Sequence, residues 1–108
     1  MEIVYNGLYK GVPYFLTFKC NKDYKNGYYK GFIRIKKGHK LYRKNHFEDY
    51  ELFDELECLG FISYSGFING GFYIGFDTKN YDSTNKLKYK DICIEECENL
   101  IDQILNMK

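Results

Sequence analysis

The residues of this chain that are best suited to chemistry lie between positions 36 and 57. The first half of this stretch, KKGHKLYRKNH, contains five Lys or Arg and two His, and the second half, FEDYELFDELE, contains six acids. Lys and Arg bind phosphates and carboxylates through charge-assisted hydrogen bonds, and a tyrosine ring offers a face for stacking. We interpret the basic half as the edge of a partner-binding surface, formed by Lys36, Lys37, His39, Lys40, Tyr42, Arg43 and Lys44.

A second set of candidate binding residues lies on the predicted strands, where rings could stack against a ligand. Tyr64 and Tyr73 are its aromatic members, and Asp77 ends a strand where a carboxylate could contact a ligand or bond its own turn. The six nearby acids would oppose a long polyanion, so a small anion or an acidic protein patch is favoured over duplex nucleic acid.

The sequence offers little catalytic machinery. The two histidines, His39 and His46, have no serine elbow or paired cysteine motif beside them, and no glycine-rich phosphate loop opens a helix. We therefore predict no catalytic residues, no metal and no cofactor. The alternative is a phosphate-ester hydrolase that uses Asp77 and His39.

The four cysteines, Cys20, Cys58, Cys93 and Cys97, contain no close ligand pair. We expect free thiols packed as small apolar side chains, because zinc sites usually draw on closely spaced ligands. A zinc site that includes His39 or His46 is the alternative.

The size and composition of the chain indicate the kind of fold that positions these residues. A chain of 108 residues with 19% aromatics and no tryptophan predicts a single domain over residues 1–108 that is rich in β-sheet. The net charge of +1 gives no global attraction to nucleic acid or membranes. No apolar run has the length of a signal peptide or a membrane span, which predicts an intracellular, soluble protein without a membrane partner.

Alternation and turn residues predict the strands. We expect an edge strand before Gly11, a hairpin of strands 12–20 and 28–35 that closes on Asn26-Gly27, and a hairpin of strands 59–64 and 72–77 that turns at Asn69-Gly70-Gly71. Residues 78–90 read as a surface loop. The acidic half at 47–57 permits either a short helix or an ordered loop.

The C-terminal segment from Asp91 to Asn106 has the period of an amphipathic helix. Its predicted buried stripe is Cys93, Cys97, Leu100, Ile101, Ile104 and Leu105, and Asp91 is the predicted cap. The fold prediction is therefore α+β: an antiparallel sheet of four to five strands from two hairpins, with one C-terminal amphipathic helix packed on it and a long loop at 36–57.

Several motifs in this order resemble a family of small proteins encoded by phages and prophages. They are GYYKGFIRIKKGHKLY, LGFISYSG, FYIGFD and YKDICIEECENLIDQIL, over residues 12–106. Gly38, His39 and Leu41 match one family motif, whereas Lys40 and Arg43 replace its usual Pro and Gly. Leu59 replaces a strand His, and Thr78, Lys79 and Asn80 replace a frequent Cys-Ala-His.

The resemblance implies a phage accessory protein that acts in the host bacterial cytoplasm against a defence system. Its expected partner is a host defence protein, or the nucleic acid or nucleotide which that protein uses. We predict stoichiometric inhibition of a CRISPR effector. The alternatives are a sponge for a defence signalling nucleotide and the hydrolase. The sequence does not predict an oligomeric state.

Overall fold

The computed structural model describes residues 2–21, 24–58, 62–78 and 90–107. Five strands form one antiparallel sheet in the order β1-β2-β3-β5-β4: β1 (Ile3–Tyr9), β2 (Val12–Asn21), β3 (Tyr24–Ile35), β4 (Ile62–Ile68) and β5 (Gly71–Asp77). A short helix α1 (Tyr50–Phe53) and a long helix α2 (Lys90–Asn106) complete the chain, and α2 packs against β2 and β3. The predicted α+β class, sheet and packed helix are confirmed. No described helix is long and apolar enough to span a membrane.

The first three strands form a meander whose turns differ in how well the sequence predicts them. Lys10 and Gly11 have φ of +51° and +81°, the two consecutive positive values of a tight hairpin turn. The turn between β2 and β3 was placed wrongly, because β3 begins at Tyr24 and pairs there with Asn21. Gly27 therefore lies inside the strand at φ +73°, where a Cβ atom would come within 2.7 Å of the Lys19 carbonyl oxygen.

The second hairpin is longer than the sequence indicates. β4 runs from Ile62 to Ile68, so residues 65–68, predicted as part of the turn, continue the strand. The turn is confined to Asn69 and Gly70, at φ of +49° and +86°. Residues 59–61 of the predicted strand, and residues 79–89 of the predicted loop, lie outside the described residues.

Helix α2 covers one face of the sheet and supplies much of the core. Its fully buried side chains include Cys93, Cys97, Leu100 and Ile101, which pack against Leu16, Ile33 and Ile74 of the strands. Two details differ from the prediction. Leu105 is exposed at 45%, and Asp91 lies within the first turn because the helix begins at Lys90. The Asp91 charge still stabilises the positive end of the helix dipole.

Residues 36–58, which follow β3, are held to the core by three buried apolar side chains, Leu41, Phe53 and Leu56. Both structures that the sequence allows for its acidic half occur, because a single turn of helix, Tyr50–Phe53, is embedded in an ordered connection. Phe47 and Tyr50, also in that apolar pattern, are largely exposed. The segment is thus a fixed part of the domain that presents its charged residues at the surface.

Candidate functional site

A pocket of about 480 Å³ lies at one end of the sheet. The antiparallel order brings the β1–β2 turn, the end of β3 and the β4–β5 turn to this end, and the last turn of α2 closes the pocket from one side. Gly11, Gly70 and Gly71 line its rim, where the strands turn. We refer to this feature as the basic pocket, because four of its lining residues are cations: Lys10, Arg34, Lys36 and Lys37.

The charge of the basic pocket is not balanced within its own lining. None of the described residues that line it is acidic. Lys10 has a partner just outside, since its Nζ lies 2.6 Å from Asp102 Oδ1. This hydrogen bond raises the pKa of Lys10 and lowers the pKa of Asp102. Arg34, Lys36 and Lys37 are exposed and form no ion pair with a described residue, so their charges are available to a ligand.

Aromatic and aliphatic side chains form the walls between these cations. Tyr42 lies against Phe72, with their ring centroids 5.6 Å apart, and both rings line the pocket. Leu105, predicted to be buried, instead forms part of the wall on the helix side. Concave sites with apolar walls and a few polar groups at fixed positions are typical of small-ligand binding. This pocket can hold a flat or apolar group while its cations contact an anion.

His39 supports the pocket rather than reaching freely into it. Its Nε2 lies 2.8 Å from the carbonyl oxygen of Ile104, and its Nδ1 accepts a hydrogen bond of 3.1 Å from the Leu41 N–H. With Nδ1 accepting, Nε2 carries the proton and donates to the carbonyl. The imidazole therefore ties the loop after β3 to the last turn of α2. The sequence predicts His39 at the edge of the partner-binding surface, and in the structure His39 lines one side of the basic pocket.

The remaining predicted basic residues are not all in the pocket. Lys36, Lys37, His39 and Tyr42 line it, but Lys40, Arg43 and Lys44 do not. Lys40 Nζ lies 3.5 Å from Glu55 Oε2, so the basic and acidic halves of the segment contact each other here. The Arg43 guanidinium lies over the rings of Tyr42 and Phe67, at 5.8 and 5.6 Å from their centroids. Lys44 is exposed.

Arg43 has an unfavourable backbone conformation, which gives a prediction about stability. Its φ is +64°, in the left-handed region where a side chain costs about 1–2 kcal/mol. We expect Arg43→Gly to raise the free energy of unfolding by about 0.5–1 kcal/mol, because release of this strain exceeds the loss of the exposed cation–π contact. Urea unfolding at constant m-value measures the change. Lys44→Gly, at a neighbouring position without positive φ, should lower stability instead, and an equal effect at both positions would contradict the strain argument.

The sheet residues of the prediction lie away from this pocket. Tyr64 and Tyr73 face away from α2, where they pack edge-on against Phe32 and Phe15. Asp77 pairs with Lys30 at the other end of β5, about 20 Å away at 3.3 Å per residue. The structure thus does not bring Asp77 near His39, the pair that the hydrolase alternative requires.

A histidine–serine contact that the sequence did not indicate links the acidic half to β4. His46 Nδ1 lies 2.7 Å from Ser65 Oγ, and the His46 backbone N–H donates to the same oxygen at 3.1 Å. The other ring nitrogen, Nε2, is buried without a hydrogen-bond partner among the described residues. Burial lowers the pKa of His46, which favours the neutral ring.

This buried histidine predicts how stability depends on pH. Because its folded-state pKa lies below the unfolded value of about 6.5, the unfolded chain binds the proton more readily. Stability should be constant above that pH and fall as the pH drops below it. We expect a lower melting temperature at pH 5.5 than at pH 7.5. His46→Asn, whose amide can still bond Ser65, should flatten this dependence. An unchanged slope in the variant would contradict the assignment of this pH dependence to His46.

The cysteines and acids do not assemble into a metal site within the described ranges. No group of three or more His, Cys, Asp or Glu there is arranged to hold an ion. Cys93 and Cys97 are reduced thiols that are fully buried, as predicted, and burial raises the pKa of the Cys93 thiol to about 12 and that of Cys97 further. Cys58 is a reduced, half-buried thiol, and the side chain of Cys20 lies outside the described part of the chain.

Two pocket cations, Lys10 and Arg34, were missed by the sequence analysis. Lys10 sits in a hairpin turn and Arg34 alternates with buried Ile33 and Ile35, so each reads locally as an ordinary exposed residue. Only the antiparallel pairing of the strands could have indicated these two residues, because it places the β1–β2 turn beside the end of β3. The likeness to phage proteins stays a prediction, since comparison of this chain with protein families, curated proteins and solved structures found no match.

Proposed function

We propose that this protein is a phage-encoded anti-defence inhibitor that binds a CRISPR effector stoichiometrically through the basic pocket. The observation that carries the proposal is the cluster of Arg34, Lys36 and Lys37, three exposed cations without an ion-pair partner among the described residues, around a cavity whose lining contains no described acid. Such a site favours an anionic group. A CRISPR effector offers one in its guide RNA and in acidic surface patches.

Binding without turnover agrees with the chemistry at the pocket. The cations and rings there can hold phosphates or carboxylates, and His39 uses both ring nitrogens to join the loop to α2. A general base needs a nitrogen free to reach the substrate. His39 meets that need only if its contacts to Ile104 or Leu41 break.

A second candidate function is capture of a defence signalling nucleotide. Its support is the shape of the site, since about 480 Å³ is within the range of small-ligand pockets and the Tyr42 and Phe72 rings offer stacking surfaces. In this case the phosphates would contact the cations at the mouth. The partner would then be a small molecule rather than a protein surface.

Affinity capture from a host lysate, followed by mass spectrometry of proteins and small molecules, tests both functions. Recovery of an effector subunit by the wild-type chain, and its loss with Lys36→Glu/Lys37→Glu, supports the inhibitor. Recovery of a nucleotide under the same conditions supports the sponge. Chemical change of a captured nucleotide during incubation would overturn both and favour the hydrolase.

A further inference from the structure

Strand β4 forms an edge of the sheet, and its register is irregular only between Ile62 and Tyr64. Among the described residues it pairs with β5 on one side and with no strand on the other. Exposed strand edges can recruit further strands, and soluble proteins usually prevent this with charged residues or proline. The sequence of β4, ISYSGFI, contains neither.

Three exposed aromatic rings follow this edge from end to end. Phe67 near the end of β4 is 50% exposed, and Tyr50, which lines a pocket with Ile62 at the start of β4, is 57% exposed. Phe47 lies between them, 78% exposed, beside the His46 that bonds Ser65 at the middle of the strand. Exposed rings grouped in this way mark an interaction surface.

The two ends of this edge carry opposite charge. At the Phe67 end, the Arg43 guanidinium lies over the ring at 5.6 Å. At the Ile62 end, Asp54 and Glu57 line the same pocket of about 370 Å³ as Ile62. The edge is therefore basic where β4 ends and acidic where it begins.

We infer that β4 pairs antiparallel with β4 of a second copy of this chain, about a two-fold axis near Ser65. Antiparallel pairing sets the basic end of each strand against the acidic end of the other, so Arg43 of each copy meets Asp54 and Glu57 of its partner. Contacts related by a two-fold axis occur twice, as in the isologous interfaces of most homodimers. The two five-stranded sheets would then form one continuous sheet.

The available apolar area fits such a dimer. An aromatic side chain buries about 150–250 Å² when fully enclosed, so the six partly exposed rings of two copies offer up to about 700 Å² beyond the strands themselves. That is nearly half of a standard interface of about 1,600 Å². The strand backbones and the two charge clusters contribute the remainder.

The opposite edge, β1, lacks this combination. Its main exposed apolar side chain is Leu8, at 72%, and the nearby Lys10 is already paired with Asp102. No described acidic cluster lines the other end of β1 to complement a cation. This edge therefore serves as the matched control.

Sedimentation velocity of the full chain tests the inference, independently of the proposed function. We expect the wild type to sediment as a species of twice 12.9 kDa at micromolar concentration. Arg43→Glu and Glu57→Lys should each raise the dimer dissociation constant at least tenfold, because the first creates four like-charge contacts across the dimer and the second creates two. The double variant should recover part of this loss, because only Asp54 still opposes the acid introduced at position 43, and Leu8→Lys should leave the dimer intact.

The alternative outcomes are distinguishable. A wild type that stays monomeric at all accessible concentrations overturns the inference. So does dissociation by Leu8→Lys without an effect of Arg43→Glu, which would assign the contact to β1. Circular dichroism of each variant verifies that the fold is retained, and Ser63→Lys, at an exposed position in β4, provides a second disruption should the Arg43 variant fail to fold.

Discussion

Reversal of Lys36 and Lys37 to Glu is expected to weaken binding of the captured partner about 100-fold or more, with the melting temperature nearly unchanged. Hydrogen bonds to charged groups contribute about 1.5–3 kcal/mol each, and 100-fold corresponds to about 2.8 kcal/mol. Both lysines are exposed and line the basic pocket without a described ion-pair partner. Their loss therefore removes ligand contacts and leaves folding contacts in place. Titration calorimetry at two salt concentrations measures the effect.

Lys40 provides the matched control for this prediction. It belongs to the same basic stretch and has the same charge, but it pairs with Glu55 and does not line the pocket. Lys40→Glu should change affinity less than tenfold and mainly slow association at low salt. Equal losses for the Lys36/Lys37 and Lys40 variants would indicate that general charge, rather than the pocket, determines binding.

Leu100→Ala is expected to lower the free energy of unfolding by about 2–5 kcal/mol, the range measured for large cavities in protein cores. Leu100 is fully buried in the cluster between α2 and the sheet. Truncation removes apolar burial and leaves a cavity that the close-packed strands cannot readily fill. Loss on this scale is a large fraction of the stability of a small domain. Urea denaturation followed by far-ultraviolet circular dichroism measures it.

Leu105→Ala makes the same chemical change on the same helix at an exposed position. Leu105 is 45% exposed and forms a wall of the basic pocket, so we expect a loss below about 1 kcal/mol. This variant should instead alter ligand affinity. If it destabilised the protein as much as Leu100→Ala, the helix would have to pack with a different face toward the sheet.

Helix α2 shows how much of a helix and of its buried face can be predicted from sequence periodicity. At 100° per residue, Cys93, Cys97, Leu100 and Ile104 share a narrow stripe, whereas Leu105 lies about 110° from the centre of that stripe. Leu105 was included in the predicted buried stripe because it is apolar. The direction in which a side chain points from the helix, however, decides whether it is buried. Glu96 shows the converse. It lies about 70° to the other side of the stripe, where it is 94% buried and accepts a hydrogen bond from Asn99. Hydrophobic pattern thus predicted the helix and most of its face, and missed both flanks.

The strands were predictable where turn chemistry was specific and less so elsewhere. The Asn69-Gly70 turn was located correctly, because a two-residue hairpin turn requires positive φ at both positions. The same reasoning failed at Asn26-Gly27, where Gly27 meets the need for positive φ inside a strand. An Asn-Gly pair, which favours positive φ, therefore occurs both in hairpin turns and in irregular strands, and the local sequence does not distinguish the two.

The candidate site was only partly predictable, because residues that are distant in the sequence come together to form it only in the folded chain. Lys36 and Lys37 were found from local charge, but Lys10 and Arg34 join them only through strand order. Lys40 was predicted to belong to the binding surface because of its charge. In the structure it forms an ion pair with Glu55 instead. Sequence shows which residues carry charge, and the fold decides which charges remain available.

The basic pocket also sets when the protein becomes competent during its own synthesis. Its lining joins Lys10 in the β1–β2 turn to Ile104 and Leu105 in the last turn of α2, and the His39 imidazole bridges to the Ile104 carbonyl. A ribosome makes residues 104 and 105 after every strand of the sheet, and small domains fold as units. A nascent chain that has completed the whole sheet still lacks one wall of the pocket and the acceptor for His39. Premature termination before the last turn of α2 would consequently yield chains that carry all four pocket cations, Lys10, Arg34, Lys36 and Lys37, and no complete site.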